Sequence, residues 1–113
     1  MIKRISLVRR KQSLTREAFV THWMGPHADI IRRLPGLLGL RFGVVQQWSP
    51  KGADWDGVGE LWFHSIAFAE HAIAAEPYRS LMAEDRKKFV EEGEWCFVEE
   101  HAAVSPPFSR PCS

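Results

Sequence analysis

The feature that most limits the fold of this 113-residue chain is the order in which its hydrophobic period changes, from two to 3.6 and back again. Ile2 to Arg10 mixes apolar and polar residues at a period near two, with Ile5 and Leu7 set against Arg4, Ser6 and Arg10, and reads as a strand. Thr15 then offers an N-cap with Glu17 in the first turn, and Phe19, Val20, Trp23, His27, Ile30, Ile31 and Leu34 recur at helical spacing. Gly25-Pro26 interrupts that helix. Proline has no N–H and crowds the carbonyl four residues back, so the spacing predicts a kink, or a restart with Pro26 at the first helical position.

Pro35-Gly36 ends the helix, and Leu38, Leu40, Phe42 and Val44 alternate with Gly39, Arg41 and Gly43 as a second strand running to about Trp48. Ser49-Pro50-Lys51-Gly52 is a connecting loop. From Asp54 to Phe63 the alternation returns, with Trp55, Gly57, Gly59, Leu61 and Phe63 on one face and Asp56, Val58, Glu60 and Trp62 on the other. Ser65 caps a short alanine-rich helix to Glu76, and Pro77 opens another with Tyr78, Leu81, Met82 and Phe89 on its apolar stripe. Glu94 to Val104 is the last strand. The succession β-α-β-β-α(α)-β predicts an α+β, ferredoxin-like split βαβ domain: a four-stranded antiparallel sheet with helices on one face. One domain is expected over residues 1–104, followed by a proline-rich tail at 105–113 that cannot continue a central strand.

Charge and cysteine usage exclude several classes of function. Fifteen basic residues against 14 acidic ones leave a net charge of +1, which sets up no field for nucleic acid or anionic lipid. No run approaches the roughly 18 apolar residues of a membrane span, and no apolar signal core follows Met1-Ile2-Lys3-Arg4, so a cytoplasmic protein is expected. Cys96 and Cys112 lack the spacing of a zinc site or a disulfide framework. There is no phosphate loop, nucleophile elbow or dinucleotide fingerprint, and neither a cofactor nor a metal is expected.

A sheet covered on one side leaves its other face bare, and here both faces of the second and third strands carry large apolar residues. A second copy packed sheet to sheet, burying residues such as Val58 and Trp62, is the expected cover, with Phe108 able to reach across. The alternative is a monomer with scattered surface aromatics. Glu60 lies on that face and is expected to pair with Arg41 or another base.

Four features bear on chemistry. His27 falls between Trp23, Ile30, Ile31 and Leu34 on the inward side of the first helix, where an imidazole can act as a general acid/base or can be a core histidine bonded to a backbone carbonyl. His22, five residues earlier, is placed on the helix shoulder rather than beside His27, because helical side chains meet at three or four residues. Asp85 sits on the stripe of Tyr78, Met82 and Phe89, and either orients a group such as His27 or forms a structural ion pair with an arginine. Gly57 and Gly59 leave missing volume beside Leu61 and Phe63, either as a pocket walled with Phe19 and Trp23 or as room for a close helix approach.

Phe19-x-x-His22-Trp23-x-Gly25-Pro26-His27-Ala28, Leu34-Pro35-Gly36-Leu37, Asp56-Gly57-Val58-Gly59-Glu60-Leu61-Trp62-Phe63 and Glu84-Asp85-x-x-x-Phe89 together resemble the EthD family, over Met1 to about Val104. The resemblance implies a protomer that pairs into a dimeric α+β barrel. It also implies relatives that include methylmuconolactone isomerases, polyketide cyclases and dehydratases, and monooxygenases. The leading expectation is a cofactor-independent isomerase, cyclase or dehydratase that moves protons on a small apolar carbonyl, lactone or polyketide-like compound, with His27 as acid/base and His22 and Asp85 as secondary candidates. A non-catalytic ligand-binding accessory protein and a monooxygenase are the alternatives.

Overall fold

A computed structural model describes residues 1–46 and 55–107. The elements are β1 (Ile2–Arg10), α1 (Arg16–His22), a π-helical turn (Trp23–His27), α2 (Ala28–Ile31), β2 (Gly39–Val44), β3 (Gly57–Phe63), α3 (Ile66–Ala74), α4 (Tyr78–Arg86) and β4 (Val90–Glu99). The strands form one sheet in the order β2-β3-β1-β4, with every neighbouring pair antiparallel. This is the four-stranded α+β arrangement that the period changes imply. Both expected caps are present: the Thr15 hydroxyl accepts from the Ala18 N–H at 3.0 Å, and Ser65 accepts from Phe68 N–H at 3.2 Å.

The register decides which side chains meet the helices. Leu61 lies opposite Arg4 and Leu40, while Gly59 lies opposite Ser6 and Phe42. On the other side of β1, Arg4 pairs with Phe97 and Ser6 with Trp95. The helix side of β1 therefore carries Arg4, Ser6 and Val8, whereas Ile5 and Leu7 share the open face with Val58, Glu60, Trp62 and Cys96. Two apolar clusters fill the space beneath the helices. One joins Ile31, Leu34, Leu61, Phe63, Ala69 and Ala72, and the other joins Val8, Phe19, Trp23, Phe89 and Val90. Phe19, Phe63 and Phe89 are fully buried, a contribution of about 1.5–3 kcal/mol each from apolar burial.

Several boundaries differ from the sequence reading. β4 runs Val90–Glu99 rather than Glu94 to Val104, because Glu92 stands opposite Arg9 and is ion-paired with it. A polar start that looks unlike a strand is thus held by a cross-strand charge pair. β3 begins at Gly57, and Leu81 is exposed rather than part of the buried stripe. Glu60 pairs with Lys3 at 2.7 Å, a basic partner of the kind expected, since Lys3 projects from the neighbouring strand on the same face. The expected end of β2 near Trp48, the Ser49–Gly52 loop and Phe108 lie outside the described residues.

The expected gap at Gly57 is occupied. A Cβ built there would overlap the Trp23 indole, so the glycine exists in contact with that ring. Gly57→Ala is expected to destabilise the fold by about 1–3 kcal/mol by displacing the indole. Thermal unfolding followed by circular dichroism checks this, and an unchanged midpoint would contradict it.

Candidate functional site

The site begins with the break at Gly25-Pro26. Without an N–H, Pro26 cannot continue the ordinary helical hydrogen-bond ladder, and the chain absorbs the defect as a wider turn. The Ala28 N–H reaches back to the Trp23 carbonyl, five residues earlier. Such a turn brings residues five apart onto one side, and it places His22 and His27 against the same partner. Neither a simple kink nor a restart at Pro26 occurs, and His22 is not left on the shoulder.

That partner is Asp85, in the last turn of α4. His27 Nδ1 lies 2.8 Å from Asp85 Oδ2, and His22 Nε2 lies 3.0 Å from both carboxylate oxygens. Phe89 forms the floor under both imidazoles, with ring centroids 4.7 Å from His22 and 4.9 Å from His27. Asp85 is only 6% exposed, and Lys88 Nζ stands 3.7 Å away. Asp85 is thus paired with the two histidines rather than with an arginine.

Burial alone would raise the Asp85 carboxyl, but the hydrogen bonds and charge of His27 and His22 outweigh it and hold the group below its ordinary value. Asp85 is therefore a carboxylate at neutral pH. A carboxylate only accepts, so His22 Nε2–H and His27 Nδ1–H donate to it. His27 is pulled below its ordinary value first by burial, with Asp85 opposing and the charges of His22 and Arg86 assisting. At neutral pH it is an uncharged imidazole whose Nε2 carries the free lone pair.

His27 borders a cavity of about 260 Å3 between the helices and the sheet, whose lining draws on both apolar clusters. This is just under the roughly 300–1,000 Å3 of drug-sized ligand pockets, and it suits a small, ring-sized molecule. Of the residues expected to wall it, Trp23, Gly59 and Leu61 do so. Phe19, Phe63 and Gly57 do not: the two phenylalanines are fully buried in the packed clusters, and Gly57 is covered by Trp23. The sequence reading missed Arg4, Ser6, Arg86 and Trp95, which also line the cavity. The available signal was the alternation in β1, where Arg4, Ser6 and Val8 share one face; only the sheet register shows that this face is the inner one.

Comparison with known proteins agrees with this architecture. The chain matches the EthD domain over residues 11–93. An ethyl tert-butyl ether d (EthD) family protein from Bacillus halodurans has the same fold at 22% identity and a TM-score of 0.74, with 89% of this chain and 99% of that chain covered. A hydroxynitrile lyase from Passiflora edulis aligns at 15% identity and a TM-score of 0.69, covering 93% of this chain and 96% of the lyase. A dimeric ferredoxin-like protein of unknown function from Bacteroides fragilis aligns at 11% identity and a TM-score of 0.67, covering 88% and 95%. A comparison with curated proteins finds no match. With the EthD domain spanning most of the chain, and the His22–Asp85–His27 cluster within it, the protein belongs to the EthD family.

Proposed function

We propose that the protein is a cofactor-independent enzyme that transfers protons on a small, partly apolar carbonyl, lactone or polyketide-like compound, with His27 as general base and then acid. The observation that carries this reading is the division of labour on one ring. Nδ1 is tied to a buried carboxylate, Nε2 is left as the nitrogen available to a ligand, and the ring borders a cavity. Asp85 fixes the tautomer and steadies the imidazolium that forms when Nε2 takes a proton from carbon or oxygen. His22 holds the other side of Asp85 and so positions the pair. The neutral state of His27 at physiological pH supplies the base directly, with no proton to be lost first. A hydroxynitrile lyase is built on the same fold, which favours a lyase or isomerase reading.

Deuterium uptake tests this whatever the product is. A panel of ketones, lactones and poly-β-keto compounds in D2O is followed by NMR for loss of carbon-bound protons. Catalysed exchange on at least one member is expected. Tight binding of panel compounds with no exchange or conversion would favour a carrier instead.

The open sheet face supports a second proposal, that the protein is a homodimer. Ile5, Leu7, Val58 and Trp62 share this face, and all helices lie on the other. A dimeric relative with the same fold favours the pairing. Val58→Asp is expected to convert the dimer to monomer, because it buries an unpaired charge in a sheet-to-sheet contact. Analytical ultracentrifugation checks it; a wild-type chain sedimenting as a monomer would contradict the proposal.

A further inference from the structure

Part of the cavity lining has an unusual charge pattern. Arg4 projects from β1 into the space beneath the helices, where its guanidinium lies 4.6 Å from the Trp95 ring centroid and its Nη1 donates to Ser6 Oγ at 2.9 Å. Its Nε is buried with no hydrogen-bond partner. Arg86, more exposed, folds its guanidinium onto β4 at Gly93, where any Cβ would collide with it. Among the described residues, neither arginine has a carboxylate within ion-pair distance. Glu94 borders the same cavity, yet it alternates with Gly93 and Trp95 onto the other face of β4 and pairs with neither.

Arg4 and Arg86 are thus brought to one cavity with no carboxylate paired to either. Burial, and then the charge of Arg86, disfavour the charged form of Arg4, so their closeness opposes folding. A bound anion would relieve the repulsion and fill the empty Nε donor. A planar carboxylate fits, because guanidinium forks bind it through paired N–H bonds. Arg79 adds a further cation to the lining, and Trp23, Ile31, Leu40, Phe42 and Leu61 form an apolar part of it that would surround a hydrocarbon body.

We propose that this cavity binds a small organic carboxylate, its carboxylate held by Arg4 and Arg86 and its apolar body set against Trp23 and Phe42, within reach of His27. The inference deepens the proposed function by naming the substrate class, and it rests on the same cavity being the substrate site.

Isothermal titration with benzoate and its uncharged isostere benzamide tests it. Benzoate is expected to bind at least tenfold more tightly than benzamide. Arg86→Gln, at an exposed position, is expected to weaken benzoate about tenfold and leave benzamide unchanged. Arg4→Met is expected to do the same, and if that variant does not fold, Arg86→Gln decides. Equal affinity for the two ligands, no benzoate binding, or benzoate affinity unaffected in Arg86→Gln would each overturn the proposal. Selective benzoate binding together with no proton exchange on any carboxylate substrate would retain the anion site and remove the catalytic reading, so the two failures are distinguishable.

Discussion

His27→Gln is expected to lower the rate of catalysed proton exchange by about 10²–10⁴-fold while leaving the fold intact. Glutamine is close in size and can still hydrogen-bond to Asp85, so the packing against Phe89 is disturbed little. What it lacks is a nitrogen lone pair that can take and return a proton near neutral pH. Circular dichroism and the unfolding midpoint should stay near those of the parent, and affinity for a cavity ligand should change only modestly. The same exchange rate in the variant would remove His27 from the mechanism. The parent rate should also fall on the acid side, with its inflection below pH 6.5, because burial holds the His27 pKa under that ordinary value.

Asp85→Asn is expected to affect activity and stability together. The carboxamide keeps one oxygen for two imidazole donors, turns its NH2 against one of those donors, and removes the negative charge that holds both rings. A loss of roughly 2–4 kcal/mol is expected, together with a fall in exchange rate as His27 loses its fixed tautomer. The pH dependence of stability has a definite sign. His27 has a folded pKa below 6.5, so as pH drops through 6.5 the unfolded chain takes up a proton first and stability declines until the folded value is passed. The Asp85 pKa is depressed below 3.8, so its stabilisation is complete above that value and is lost as pH falls through the folded pKa. In Asp85→Asn the lower of these two declines should vanish. Denaturant midpoints measured from pH 7 down to pH 2 check both, and identical pH profiles for parent and variant would contradict the carboxylate's role.

Much of this was legible in the residues. The period changes show the element order, Thr15 and Ser65 mark their helix starts, and Asp85 on an apolar stripe signals a buried charge needing a partner. The pairing of His22 with His27 was not legible, because five-residue spacing is out of phase in an α-helix and only the π turn at Pro26 corrects it. Arg4 was hidden for a different reason. Apolar Ile5 and Leu7 suggest the inner face of β1, yet the open face is itself apolar, and the register gives the inner side to Arg4 and Ser6. The glycine gap was visible as missing volume, but whether Trp23 or a ligand filled it depended on where a large ring pointed after an irregular turn.

The central claim is that His27 is a neutral base, held through Nδ1–H by Asp85, with Nε2 turned to a ligand. Nitrogen-15 NMR of the histidine side chains, with and without benzoate, tests it most directly. At pH 7 the account predicts a neutral His27 protonated on Nδ1, titrating below pH 6.5, whose Nε2 resonance moves when the cavity is filled. An imidazolium at pH 7, a proton resident on Nε2, or an Nε2 resonance indifferent to a bound ligand would contradict it.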